Sequence, residues 1–289
     1  MDSVKQLVRL GSCDEKVMPT FSVFVSNMPK TKSRASGSIQ QTIENSQALI
    51  LAGGLGTRLR PAFHGGPKSL APIAGRLFLE YLLIWLRSAG IKELILCVGY
   101  EKDQIRNWLV DGAAWGLHVT YSVEKTLLGT AGAIKLAAEL ISAPYCLVVN
   151  GDSFLDVNLA EMYQFHVRHR ALATLALARV PDSARYGTVQ LDRLGLVTAF
   201  QEKKQNLASQ DDSPPRRCPQ LINGGVYLLE KRFLDLIPPG KAISLETEVF
   251  PTLVGKNLYG FVTDGFFIDI GVPAEYQRAQ SELPKRFPI

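Results

Sequence analysis

A glycine-rich turn, two separate cations and two isolated aspartates are the residues of this chain whose types and spacing fit chemistry on phosphates. The segment Leu51-Ala52-Gly53-Gly54-Leu55-Gly56-Thr57-Arg58-Leu59-Arg60-Pro61 follows the apolar run Ala48–Ala52. Its glycines permit positive φ and close approach, exposing N–H groups to an anion. Arg58 adds charge-assisted hydrogen bonds to phosphate. The segment is not a Walker A loop, because no Gly-Lys-Ser/Thr follows. It also departs from the dinucleotide fingerprint, with Leu59 where Gly or Ala belongs. A glycine-rich turn without a ligand is the plainer reading. The second motif, Pro67-Lys68-Ser69-Leu70-Ala71-Pro72, weighs against it by presenting one lysine between two prolines.

Asp152 ends the apolar run Tyr145–Val149 in Asn150-Gly151-Asp152, and Asp269 lies in Phe267-Ile268-Asp269-Ile270-Gly271. Either acid alone suits a turn cap as well as a ligand. Phosphoryl and nucleotidyl transfer need charge neutralisation and in-line positioning more than covalent help. A hard cation supplies both, and magnesium commonly keeps only one or two protein carboxylates.

The run Gly53 to Leu59, followed by Pro67-Lys68 and Ala71-Pro72, resembles the signature of the sugar-1-phosphate nucleotidyltransferases (GT-A-like). The likeness extends from Ala48 to about Gln280. The resemblance implies an enzyme that joins a nucleoside triphosphate to a sugar 1-phosphate and releases pyrophosphate. It implies that Leu51, Ala52, Gly53, Gly54, Gly56 and Thr57 wrap the triphosphate while Arg58 and Lys68 neutralise it. Asp152 and Asp269 match the family's pair of Mg2+-binding aspartates. Glu124, with Gly129 and Thr130, resembles the base-reading loop. Glu202-Lys203 resembles the pair that grips the sugar and its phosphate, and Asn223, Glu246 and Gly187 resemble sugar contacts. Arg58, Lys68, Asp152 and Lys203 are then the catalytic set.

Glu124 carries chemical information of its own. A carboxylate accepts both the N1 and N2 hydrogens of guanine, whereas uracil and thymine offer one such donor, which favours GTP. A helix-capping acid remains the alternative for Glu124, and an ordinary N-terminal helix acid for Glu246. Within the family the wording is most similar to guanylyltransferases acting on D-glycero-D-manno-heptose 1-phosphate. Mannose 1-phosphate with GTP, or a hexose 1-phosphate with UTP, is the close alternative. A catalytically silent nucleotide-sugar-binding regulatory subunit is the alternative from another class. The charged set Arg58, Lys68, Asp152, Lys203 and Asp269, all present, argues against it.

These residues need a scaffold, and the pattern of apolar runs describes one. Glu93–Val98, Val119–Val123 and Tyr145–Val149 are strand-like runs that alternate with the helical stretches Leu77–Ser88, Lys102–Val110 and Ala131–Leu140. Strands apolar throughout and separated by helices indicate a parallel sheet covered on both faces, with ligands at the strands' carboxyl ends. Ala173–Arg179, Gly187–Leu191, Val197–Gln201 and Leu221–Leu229 continue as strands, and the Pro-containing Gln205–Pro219 is an exposed loop. The expected fold is a single Rossmann-like α/β domain with a mixed, mainly parallel sheet flanked by helices. Residues 48–160 form a nucleotide half and 161–289 a sugar-phosphate half.

Residues 1–47 show no sustained period and are expected to be a mobile extension, with Met18 and Met28 as later starts. The chain of 289 residues is 46% hydrophobic and 20% charged, with a formal net charge of +5. No basic tract with interleaved aromatics points to nucleic acid, and scattered cations suit phosphate substrates. The four cysteines show no C-x-x-C spacing, and Cys97 and Cys146 sit in strand-like runs. That favours a reducing compartment. With no apolar run of about eighteen residues and no signal-peptide core, the expectation is a cytoplasmic protein away from membranes. The sequence leaves the oligomeric state open, a homo-oligomer included. His166 and His169, at i and i+3, are expected on a solvated helix face rather than as a metal pair.

Overall fold

The computed structural model describes residues 43–181, 186–201 and 219–287. Residues 1–42 of the expected extension lie outside these, as do Glu202, Lys203 and nearly all of the 205–219 loop. The first described residue, Ile43, is 1% exposed and belongs to the main core. The packed domain therefore begins earlier than Ala48.

In chain order the first half comprises β1 (Gln47–Leu51), β2 (Pro72–Ile73), β3 (Arg76–Leu77), α1 (Phe78–Ser88), β4 (Glu93–Val98), α2 (Lys102–Leu109), β5 (His118–Val123), α3 (Gly129–Leu136) and β6 (Tyr145–Asn150). Then come β7 (Ser153–Leu155), α4 (Leu159–His169), β8 (Ala173–Val180), β9 (Thr188–Leu191), β10 (Val197–Gln201) and β11 (Gln220–Glu230). The chain closes with α5 (Phe250–Leu253), β12 (Leu258–Thr263), β13 (Phe267–Asp269) and α6 (Pro273–Glu282).

β1 is apolar at every interior position because both its faces are covered. It pairs in parallel with β4 on one side and β6 on the other, and β4 pairs in parallel with β5. Side chains alternate across the sheet. Ala48 and Ile50 enter one core with Leu94, Leu96, Leu147 and Val149. Leu49 enters the other with Ile95, Cys97, Cys146 and Val148. The parallel order β5-β4-β1-β6 meets an antiparallel partner at β11, which carries β8 and β9 on its far edge. The whole is a nine-stranded mixed sheet.

Two features beyond the main ladder shape the site. β13 pairs antiparallel with the three-residue β7, in a small sheet of their own. Such short strands carry too little pattern to be read from periodicity. The second feature is a bulge in β11, where the register with β8 jumps between Asn223 and Tyr227. Gly225, at φ +74°, bends the strand there. A Cβ on Gly225 would stand 2.5 Å from Ser153 Oγ and 2.8 Å from Asn150 Nδ2. Both the left-handed backbone and the close approach thus require glycine. Gly225→Ala is expected to destabilise the fold by roughly 1–3 kcal/mol. Urea unfolding with an unchanged m-value checks this, and a loss below a few tenths of a kcal/mol would contradict it.

The expectation for the histidines is corrected. His166 is 1% exposed, its Nδ1 is 2.8 Å from Thr174 Oγ1, and its ring meets Tyr145 edge-on. His169 turns back to the Phe165 carbonyl and packs on Tyr259. Helix periodicity placed both residues on one helix, but it did not show that β8 closes over the first of them. Burial pushes His166 down to about 4, with the nearby Glu230 opposing the shift. The folded state therefore holds fewer protons than the unfolded chain between about pH 6.5 and 4, and stability falls with pH across that window. Compared between pH 7.5 and 4.5, the wild type should lose on the order of 2 kcal/mol relative to His166→Gln, a difference that isolates His166 from the raised carboxyl of Asp269, which acts in the opposite sense.

Candidate active site

The parallel strands deliver the glycine turn and Asp152 to the same edge. Ala52 N donates to Cys97 O at the end of β4, and Gly151 N donates to Leu51 O. Gly53 then passes so close to Glu124 and Gly99 that a Cβ would collide with Glu124 Oε1. The glycine there exists for close approach, and it brings the glycine-rich turn against the Glu124 carboxylate. Glu124 is itself held: Oε2 accepts from Leu128 N at 2.9 Å. Burial raises its pKa, and the Leu128 N–H partly opposes the rise.

Lys68 arrives from the other side of the turn. Pro67 before it and Ala71 after it are extended, so the short helical turn Lys68–Leu70 cannot propagate. Its stem lies under Gly56, where a Cβ would come within 2.9 Å of Lys68 Cγ. Its Nζ donates to Asp152 Oδ2 at 2.7 Å. A cleft of about 270 Å³ opens beside this pair, walled by Gly56, Arg60, His64 and Tyr100.

The β7–β13 pairing sets the second aspartate against the first. Asp269 stands opposite Ser153 in register, and Ile270 N donates to Asp152 O at 2.9 Å. Asp269 Oδ1 accepts from Gly271 N at 2.7 Å. Burial, and then the negative charge of Asp152, push Asp269 up to about 6 against the pull of Gly271 N–H, Lys68 and Arg58. Two carboxylates sharing a desolvated corner this way form a donor set that favours a cation between them. The site thus unites Arg58, Lys68, Asp152 and Asp269, the four charged residues that lie far apart in sequence. Among the described residues no cluster of three or more His, Cys, Asp or Glu offers a larger metal site.

The residues expected to touch sugar form a second cluster. Asn223 Nδ2 donates to Tyr227 OH at 2.8 Å, Tyr227 OH donates to Glu246 Oε1 at 3.1 Å, and Asn223 Oδ1 accepts from Gly225 N. Thr130 Oγ1 and Ser244 Oγ both donate to Glu246 Oε2, at 2.7 and 2.9 Å. Gly187 leads into β9, beside Tyr186, whose ring packs edge-on to Phe267 next to Asp269. Tyr227 and Ser244 were absent from the sequence expectations. The signal for Ser244 was present, as a helix-capping serine ahead of two acids, and its Oγ accepts from Glu246 N and Thr247 N.

Comparison with known proteins bears on the family and the fold. The model of the family described as nucleotidyl transferase matches residues 47–286. A D-glycero-alpha-D-manno-heptose 1-phosphate guanylyltransferase of Aneurinibacillus thermoaerophilus is 36% identical over 82% of this chain and 98% of its own length. A mannose-1-phosphate guanylyltransferase of Mycobacterium tuberculosis is 37% identical over 82% of this chain, which spans 64% of that longer relative. The crystal structure of HddC from Yersinia pseudotuberculosis complexed with GMP-PN superposes with a TM-score of 0.71 at 30% identity, covering 82% of this chain and 99% of that one. The α/β fold, the glycine turn flanked by Arg58 and Lys68, and a match spanning nearly every described residue lead to one conclusion: the chain belongs to the nucleotidyl transferase family.

Proposed function

We propose that the chain transfers GMP from GTP to a sugar 1-phosphate, D-glycero-D-manno-heptose 1-phosphate first among acceptors, and releases pyrophosphate. The observation that carries this reading is the convergence of Lys68, Asp152 and Asp269 beneath the glycine turn. Likeness to heptose 1-phosphate and mannose-1-phosphate guanylyltransferases supports the choice of base and of sugar class.

Asp152 and Asp269 would hold a magnesium ion, whose charge, when bound, neutralises the triphosphate. The chain's own groups do the rest. The N–H groups of residues 53–57 and the Arg58 guanidinium orient the β- and γ-phosphates so that pyrophosphate leaves in line. Lys68 exchanges its Asp152 partner for an α-phosphate oxygen. Glu124, fixed by Leu128 N–H, offers its carboxylate to the N1 and N2 hydrogens of guanine. Asn223 and Glu246 accept from or donate to sugar hydroxyls, placing the sugar phosphate close to the α-phosphorus, where proximity supplies most of the rate. Lys203, outside the described residues, would hold that incoming phosphate. Positioning and electrostatics suffice, and no covalent intermediate is required.

Pyrophosphate release with magnesium, crossing GTP, UTP, ATP, CTP and dTTP against heptose, mannose, glucose and N-acetylglucosamine 1-phosphates, tests the reading. GTP with heptose 1-phosphate should give the highest kcat/KM. A preference for UTP or dTTP would overturn the role of Glu124. Highest turnover of GTP with mannose 1-phosphate would change the sugar alone. Turnover with no pair would overturn the catalytic reading.

A further inference from the structure

The segment 241–246 is docked onto the start of α3 by a set of contacts that the proposed chemistry does not require. Ile243 N donates to Leu128 O at 2.8 Å, and Ile243 O accepts from Ala131 N and Gly132 N. Gly129, at φ +69°, would place a Cβ 2.5 Å from Ile243 O, and a Cβ on Gly132 would stand 2.5 Å from Lys241 O. No side chain fits between the two segments at these points. The glycines of the stretch 129–132 are thus accounted for by backbone packing against the sugar-side segment.

Thr130 reaches across this seam with its side chain. Its Oγ1 accepts from Leu245 N at 2.8 Å and donates to Glu246 Oε2 at 2.7 Å. The hydroxyl has a single proton, and the Leu245 N–H occupies an acceptor position, so that proton is directed at the carboxylate. Ser244 Oγ supplies a second donor to the same oxygen. Glu246 Oε2 is therefore saturated from the protein side, and Oε1 meets Tyr227 at the longer distance of 3.1 Å. The carboxylate is held as an acceptor with Oε1 turned toward Tyr227, whose hydroxyl in turn accepts from Asn223 Nδ2. The same three-residue stretch 128–130 is tied at its other end to Glu124, through Leu128 N.

The geometry points to Thr130 as a positioning residue for the sugar: it fixes Glu246 so that the remaining acceptor position on Oε1 meets a sugar hydroxyl, and it links that carboxylate to the loop that holds Glu124. This rests on the reading of Glu246 as a sugar contact, and it gives Thr130 a role on the sugar side rather than on the nucleotide. The ligand class is the hydroxylated ring of a nucleotide sugar, not the phosphates or the base. A hydrogen bond to a charged group that is lost while its partner stays buried weakens binding by roughly tenfold or more.

Thr130→Val, Thr130→Ser and Ser244→Ala in the full chain test this, with KM for each substrate measured separately. Thr130→Val should raise KM for the sugar 1-phosphate about tenfold and leave KM for GTP within about twofold. Thr130→Ser should recover most of the loss. Ser244→Ala, which removes the other donor to Oε2, should shift the same constant and covers the case in which Thr130→Val fails to fold. Calorimetric titration with GDP-mannose and with GDP supplies a readout independent of turnover. Thr130→Val should narrow the affinity advantage of GDP-mannose over GDP while GDP itself binds as before. A rise confined to KM for GTP, or no change in either constant, overturns the inference. If the wild type turns over no pair yet binds GDP-mannose more tightly than GDP, the catalytic reading fails and the binding comparison still decides the role of Thr130. If the wild type binds both equally, the sugar role of Glu246 falls, and the inference falls with it.

Discussion

Asp152→Asn is expected to lower kcat about 1,000-fold while GTP binding stays within a few fold. The substitution keeps the side chain's shape and leaves an oxygen to accept from Lys68 Nζ, which now donates to Asp152 Oδ2 at 2.7 Å. The fold should survive, because the contact that places Asp152 against β13 runs through its backbone, Ile270 N to Asp152 O. What is lost is one of two anionic donors. A divalent cation contributes several kcal/mol to charge stabilisation in a transferring phosphoryl group, and roughly 4 kcal/mol corresponds to a thousandfold in rate. Steady-state pyrophosphate release across a magnesium titration measures both consequences: a lower ceiling, and a higher magnesium concentration to reach it. Retention of more than about a tenth of the wild-type rate at saturating magnesium would remove Asp152 from the reacting centre. An independent signature does not depend on turnover. The charge of Asp152 is the second cause, after burial, of the raised pKa of Asp269. In metal-free Asp152→Asn the Asp269 carboxyl should titrate below its wild-type value of about 6, yet above the ordinary range because burial persists. Carbon-13 NMR of the carboxyl reads this directly.

The parts of this corner that were legible in the sequence are those set by periodicity and by chain-local punctuation. β1, β4 and β6 are apolar at nearly every interior position because both their faces are covered, and that pattern predicts a parallel sheet, whereas the edge strand β5 carries Thr120 and Ser122 and is only partly buried. The glycine turn and the proline-bounded Lys68 announce themselves within a few residues. The pairing of β7 with β13 spans more than a hundred positions and involves three residues on each strand, so no local signal specifies it. It is nevertheless what sets Asp269 beside Asp152. His166 shows the same limit from the packing side. Charged neighbours marked its helix as solvated, while contact with Thr174 on β8 decides that its face is inward. Thr130 is grouped with Glu124 by resemblance to the base-reading loop, and the docking of 241–246 onto α3 is what brings it to Glu246. Glu202 and Lys203 fall outside the described residues, so their part in the site rests on resemblance.

Lys68→Met should lower kcat/KM for GTP by about 100- to 1,000-fold, the loss typical of one preorganised electrostatic contact to a reacting oxygen. Methionine retains the stem that lies under Gly56 and removes only the charge. Lys68→Arg should rescue little. The position is closed on one side by Gly56 and on the other by Asp152, and a planar guanidinium is longer and wider than the ammonium that fits there. The pH dependence separates this residue's effect from that of Asp152. Lys68 is among the groups that hold the pKa of Asp269 down, whereas Asp152 drives it up. A carboxylate whose pKa rises loses its proton only at higher pH, so removing Lys68 should move the acid limb of kcat/KM to higher pH, and removing the charge of Asp152 should move it lower. At limiting magnesium kcat/KM reports the free enzyme, where the carboxylates have no cation to stabilise them. Opposite displacements of one limb by two substitutions that both depress the rate would place Lys68, Asp152 and Asp269 in a single electrostatic unit. Displacement in the same direction, or none, would mean that Asp269 does not govern the limb.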